Sequence, residues 1–386
     1  MIRPRILCVF MTRFEECGPM LDGVSKYSRS HVHWDIFLDD QGRAESDMDW
    51  LKDQPWDGVI SRHTTSKLAG ACRDLGLPLV DLNDIPRFPG VPKIRPDNRT
   101  IGHLGGEHFL ERGYQRMGFC GFGNEGWSCE RRDGFVEAVR LGGLEPLDFE
   151  TDWPGQTTPA WDHGENLRLV EWLRGIRHPL AVMACNDLRA QQVVNAVQAA
   201  DLLIPEEVAV LGANNETHRC ELPYPPLSSV ATHPFHSGYR AAEVMAAILS
   251  GADLTDLDER IEPVGIVTRQ STDVLAIDDR NVAKALSYIR ERACLGLSVD
   301  EVVAHAAASR SQLEKRFRRY IGRSPQAEIR RVQVARMKQL LFETDFPLKR
   351  IADLTGFEHI EYMSVVFKRL VGVSPGAYRI RMKSGD

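Results

Sequence analysis

The nine residues FRRYIGRSP at 317–325 return as FKRLVGVSP at 367–375. A near-repeat of that length limits the last quarter of the chain to one structure used twice. In the first copy Leu313, Phe317 and Ile321 recur at i, i+4 and i+8, the apolar stripe of a single helix. Ser309 with Gln312 is a capping-box start, and Gly322 supplies the left-handed residue that closes a helix. Ser324-Pro325 opens the next helix, Ser at the cap and Pro in the first turn. In the second copy Met363, Phe367 and Val371, with Val366 and Leu370, form the stripe; Gly372 closes it and Ser374-Pro375 opens again. Each stripe follows a short helix and a turn. Ser298 and Glu301 make a capping box, and Val302, Val303 and Ala306 face a core. Before the second, Ile351, Ala352 and Leu354 pack and Gly356 turns the chain. The prediction is two helix-turn-helix motifs, at about 298–321 and 348–371.

The stretch from Pro325 to Glu343 reads as one helix between them, ~28 Å long at ~1.5 Å per residue. A turn of B-DNA is ~34 Å, so such a rod would set two recognition helices into successive major grooves of double-stranded DNA. The faces opposite the stripes carry Ser311, Glu314, Lys315 and Arg318 in the first motif and Glu361, Ser364, Val365 and Lys368 in the second, with Arg310, Arg319 and His359 as further candidates for DNA contact. Lys315 suits a guanine edge, Glu314 a cytosine amine and Val365 a thymine methyl. Arg310, Arg316, Arg319, Lys368 and Arg369 suit phosphates, which hold the protein in place without reading sequence. A solvated helix face accounts for any one of these residues, but not for the doubled set.

Charge separates this region from the rest. From Arg280 onward there are 21 Lys and Arg against 11 Asp and Glu; before it there are 27 against 43. A basic module on an acidic body fits nucleic acid as the partner of the tail. The chain has 386 residues, enough for two or three domains. No apolar run is long enough to cross a membrane, and MIRPRILCVFM reads as a first strand rather than a leader, so the chain is expected in the cytoplasm with no membrane partner. Its eight cysteines show no C-x-x-C pair or metal spacing. No metal or cofactor is expected.

Residues 1–275 alternate strands and helices. Strands are predicted at 5–11, 34–39, 57–62, 77–83, 116–122, 180–186 and 207–213, with helices such as 100–113, 130–143 and 187–201. That order predicts α/β architecture, parallel sheets with helices on both faces, in two lobes near 1–95 and 97–230. Ligands in such folds bind outside the carboxyl ends of the strands, here in a cleft between the lobes. The strand-end candidates are Thr12, Arg13 and Phe14; Gly123, Asn124 and Glu125, with Trp127, Arg131 and Arg132 on the helix that follows; Asn186 and Asp187; and Asn214, Asn215 and Glu216. Amides, carboxylates, a guanidinium and aromatic faces match a neutral polyhydroxyl ligand, and no glycine-rich phosphate loop is present. Asp187 as a helix cap and Arg131 as an ion-pair partner are the plainer alternatives.

The tail GFEHIEYMSVVFKRLVGVSPGAYR resembles the signature of the AraC/XylS family of transcription regulators, over about 285–382. The stretches 96–121, 184–216 and 225–251 resemble the LacI/GalR and periplasmic-binding-protein core. That resemblance implies that Arg131 and Asp187 bind sugar hydroxyls; Asn214 stands where the family often has Asp. TRQSTDVLAIDD at 268–279 is similar to the junction of regulators that combine the two parts. The resemblance thus implies a sensing domain at 1–275, a linker at 276–284 and a DNA-binding domain at 285–386. It further implies a sugar effector with D-xylose as lead candidate, activation of transcription, a homodimer and contact with RNA polymerase. A DNA-repair alkyltransferase fused to such a module and a transport-type sugar-binding protein are the rivals. No cysteine sits in a reactive motif, and no secretion signal is visible.

Overall fold

The computed structural model describes residues 3–84, 87–156, 158–273, 277 and 279–384. The body is two six-stranded sheets. The first runs, in spatial order, Asp258–Ile261, Lys93–Pro96, Leu79–Asp81, Gly58–Ser61, Arg5–Val9 and Asp35–Asp39, all parallel. The second runs Gly265–Val267, Ser228–Ala231, Val208–Asn214, Leu180–Ala184, Met117–Phe122 and Leu147–Thr151, parallel except for its first strand. Several interior strands, LAVMA among them, are fully buried apolar runs, as covering by helices on both faces requires.

The lobes are not the simple tandem that the sequence suggests. After the second lobe the chain returns to the first, adding helix Pro234–Leu249 and strand Asp258–Ile261, then crosses back for Gly265–Val267. The edge strand Asp258–Ile261 and its neighbour Lys93–Pro96 are half polar, so periodicity did not reveal them. The crossings are tied together: Asp97 N–H donates to Ile261 O at 2.8 Å and Val264 N–H to Ala231 O at 2.8 Å.

Two glycines govern the second lobe at the cleft. A Cβ on Gly102 would lie 1.8 Å from Arg131 O, and one on Gly134 1.9 Å from Arg99 O. Helices Asn98–Glu111 and Gly126–Leu141 therefore cross with their backbones in contact.

The tail is all helical, as predicted. Val299–His305 and Arg310–Ile321 form one helix-turn-helix, Leu348–Leu354 and Ile360–Val371 the other, and Pro325–Glu343 joins them through 19 residues. The caps follow the sequence. Ser298 and Glu301 complete a capping box, Ser309 Oγ accepts from Gln312 N–H, and Ser324 Oγ accepts from Ala327 N–H. Gly322 and Gly372 close their helices at φ 73° and 89°. Each motif has its own core, around Leu313 and Phe317 and around Met363 and Phe367. Leu370 is a correction: it is 52% exposed and lies off the stripe, which Val366 carries.

The stretch 276–284 holds the buried Ile277 and the start of helix Arg280–Arg292, capped by Asp279; the helix and Ile277 share the apolar cluster of the first motif. Of the junction 268–279, residues 274–276 and 278 lie outside the described residues. Among the described residues no helix is long and apolar enough to cross a membrane, and no group of His, Cys, Asp or Glu could hold a metal ion.

Candidate ligand cleft and nucleic-acid interface

A cavity of about 270 Å³ lies between the lobes, at the carboxyl ends of the strands. The first lobe supplies Phe14, Glu16, Arg62 and Asp84; the second supplies Glu125, Trp127, Arg131, Asn186, Asn214 and Glu216. Arg62 directly follows strand Gly58–Ser61, and Asn214 ends strand Val208–Asn214. Asn186 caps the helix that begins at Asp187, its Oδ1 accepting from Arg189 N–H at 2.8 Å.

Arg131 is the most constrained group. It is 3% exposed, on the helix that Gly102 and Gly134 draw in. Its Nε donates to Asn98 Oδ1 at 2.9 Å, Nη1 to Cys185 O at 2.6 Å and Nη2 to Asn214 Oδ1 at 3.1 Å, and its guanidinium lies 5.2 Å from the Trp127 ring centre. All three acceptors are neutral oxygens, and burial lowers its pKa. Arg62 is balanced instead. It donates to Asn83 Oδ1 at 2.9 Å and lies 3.4 Å from Glu16 and 3.5 Å from Asp84. Glu216 pairs with Arg219 at 2.8 Å, yet burial still raises its pKa. Glu125 accepts from Trp127 Nε1 at 2.9 Å. Bonds also cross between the lobes at the cleft: Thr217 N–H donates to Glu15 Oε1 at 2.8 Å and Asn98 Nδ2 to Asp84 Oδ1 at 3.2 Å.

Of the sequence candidates, Phe14, Glu125, Trp127, Arg131, Asn186, Asn214 and Glu216 line the cavity; Thr12, Arg13, Gly123, Asn124, Arg132, Asp187 and Asn215 do not. Arg13 is exposed, its guanidinium 5.1 Å from the Phe14 ring centre. Asp187 is fully buried beneath the wall. One position past the cap, it turns inward: Oδ1 accepts from Ser229 Oγ at 2.6 Å and Oδ2 from Glu216 N–H at 2.8 Å. Gly212 makes room, since a Cβ there would lie 2.1 Å from Oδ1. Burial pushes the Asp187 pKa up to about 7. It supports the wall rather than facing the cavity. Sequence reading missed Glu16, Arg62, Asp84, Trp153 and Arg219. The strand-end rule, applied to 57–62 and 77–83, reaches Arg62 and Asp84; the other three come from loops and a short helix that carry no such signal.

On the module, Ser311, Lys315, Arg318 and Arg319 are exposed on the first recognition helix, and His359, Glu361, Val365 and Lys368 on the second. Ser364 and Glu314 are half-buried. Arg310 is exposed but pairs with Asp300 at 2.9 Å and Glu314 at 3.5 Å. Arg316 pairs with Asp279 at 3.2 Å, so it is partly committed within the protein.

Residues 107–272 match the model of a periplasmic binding protein-like domain, and 302–381 that of a helix-turn-helix domain. The xylose operon regulatory protein of Escherichia coli (strain K12) is 29% identical over 98% of this chain and 97% of that protein. Its counterpart in Haemophilus influenzae is 28% identical over 94% of each. The solved structure of the xylose-binding transcription activator XylR superimposes with a TM-score of 0.80 at 27% identity, covering 98% of both chains. The transcriptional regulator CelR in complex with cellobiose shares the fold of the body, with a TM-score of 0.58 at 20% identity over 70% of this chain and 85% of that one.

Proposed function

Since the chain is an AraC-type transcription regulator whose sensor has the periplasmic binding protein-like fold, we propose that a free sugar, D-xylose first, is its effector and that it binds in the cleft between the lobes. One observation carries the reading. The cavity of about 270 Å³ takes polar walls from both lobes, with Arg62 on one side and Arg131, Asn186 and Asn214 on the other. Pockets for drug-sized ligands run from about 300 to 1,000 Å³, so this one suits a monosaccharide. Guanidinium and amide groups match hydroxyls that both donate and accept, and Phe14 and Trp127 offer flat apolar faces to a sugar ring. A ligand that touches both lobes favours their closed arrangement, because only a difference in affinity between two states shifts their balance.

The output is activation through two DNA half-sites, read by a homodimer that contacts RNA polymerase. We assign the sensor to 1–275 and the DNA-binding domain to 285–386; between them, Ile277 and the start of helix Arg280–Arg292 share the apolar cluster of the first motif. The names of the full-length relatives, which are regulators of a xylose operon, support this reading.

The test is calorimetric titration of the full chain with D-xylose, L-arabinose, D-ribose and D-glucose. One pentose is expected to bind best. Arg62→Gln should weaken it about tenfold or more, the effect of losing a charged hydrogen bond. Binding of none of the four, or equal binding to the wild type and Arg62→Gln, would refute the assignment.

A further inference from the structure

The cleft and the DNA-binding module lie at opposite ends of the second lobe. Strand Val208–Asn214 ends in the cleft at Asn214, while Glu206 and Glu207 just before it pair with Arg290 and Arg280 of the module's first helix at 3.3 and 3.4 Å. Seven residues of strand span ~23 Å, so a device is needed to connect the two ends.

Residues 269–273 touch both. Arg269 Nη1 donates to Asn215 Oδ1 at 2.9 Å and to Leu227 O at 3.0 Å, and its Nε donates to Glu221 Oε1 at 2.6 Å. Asn215 stands between the two cleft residues Asn214 and Glu216, and it and Asn214 have φ values of 57° and 105°. Non-glycine residues seldom adopt such backbone, so the wall is held there by its bonds. Within the four residues after Arg269, the module takes hold. Arg290 donates to Gln270 O at 3.4 Å and Asp273 O at 2.8 Å, and Arg331, on the connector between the motifs, pairs with Asp273 at 3.4 Å. Between these grips Thr272 is pinned to helix Asn98–Glu111 and the residue after it, through His108 at 2.9 Å and Arg112 at 2.9 Å. The same helix carries Asn98, which holds Arg131.

We propose that Arg269 is a positioning residue that couples the cleft wall to the DNA-binding module. It lines no part of the cavity; it joins the back of the wall at Asn215 to the segment that Arg290 and Arg331 grip. A ligand that resets Asn214 and Glu216 moves Asn215, and through Arg269 shifts the seat of the module. The proposal rests on the reading of the cleft as the sugar site.

The experiment uses the full chain, D-xylose as effector and a duplex selected in vitro with that chain. The quantity read is the ratio of DNA affinities with and without sugar. Arg269→Gln severs the contact from one side. Asn215→Gly severs it from the other while keeping left-handed backbone accessible. Asn215→Asp keeps an acceptor. The wild-type ratio should differ from one by about fivefold or more. In Arg269→Gln and Asn215→Gly it should fall below about twofold, with sugar affinity of the DNA-free protein within about threefold of wild type, and Asn215→Asp should keep the wild-type ratio. Should Arg269→Gln fail to fold, the two Asn215 variants give the same reading. An unchanged ratio in both severed variants overturns the coupling role alone. A ratio lost together with sugar affinity also overturns it, since these residues then act on the pocket. A wild-type ratio of one, with D-xylose bound, sinks the sensor reading and this proposal with it.

Discussion

Asp187 shows how one position along a helix changes a residue's task. Asn186 points into the cleft and Asp187 under it, tying Glu216 to Ser229. Its pKa is raised from 3.8 to about 7. Between those values the folded protein holds a proton that the unfolded chain has released. Its contribution therefore favours folding at low pH and is lost as pH rises through about 7. Asp187→Asn should remove that slope: the fall in melting temperature between mildly acidic and neutral solution becomes smaller than in wild type, measured by scanning calorimetry. Two basic residues of the first recognition helix should differ as well. Lys315→Ala should cost ~1–3 kcal/mol on the best site and relax one base position, whereas Arg319→Ala should weaken all duplexes alike. Competition binding against single-base variants separates the two; identical profiles contradict the assignment of Lys315 as a base reader.

At the scale of elements, close helix packing is what aims Arg131. Helix Gly126–Leu141 can hold the guanidinium against Asn98, Cys185 and Asn214 only because Gly102 lets the backbones touch. Gly102→Ala places a methyl 1.8 Å from Arg131 O, and overpacking of this kind costs ~1–3 kcal/mol. The expected outcome is a lower melting temperature together with sugar affinity reduced about tenfold or more, with the Arg131 helix displaced. Full sugar affinity in a destabilised variant would separate packing from aim and remove this link. In the tail, Gly356 plays a similar part at φ 71°, where a Cβ would lie 2.6 Å from Gly296 N. It lets the second motif's turn sit against the chain that leads into the first.

Across the whole molecule, the sensor and module are joined by charge as well as by chain. Glu206 and Arg290 are buried, their side chains 0% and 8% exposed, and 3.3 Å apart. Removing one partner of such a pair costs ~3–5 kcal/mol because the other stays buried and charged. Arg290→Met should lower stability by an amount of that order, and adding Glu206→Gln should recover part of it, by denaturant unfolding of the single and double variants. The tail's surplus of basic residues belongs to this scale too. If the two recognition helices together neutralise six or more phosphates, DNA affinity should fall about a thousandfold between 50 and 200 mM salt. A flat salt dependence would mean that the exposed arginines do not reach the backbone.

The repeated nonapeptide, its caps and its glycines were legible without coordinates because they are local: a cap bonds three residues away, and a left-handed glycine ends its own helix. Strand ends on interior strands were nearly as plain, so Phe14, Trp127, Arg131, Asn186 and Asn214 could be named in advance. Tertiary structure alone decided the rest. The return of 234–261 to the first lobe, the inward turn of Asp187, the arrival of Glu16 and Arg219 in the cleft and the bond from Arg269 to Asn215 all depend on contacts between residues far apart in the chain. Local periodicity records which face of an element is buried, but not which other element buries it.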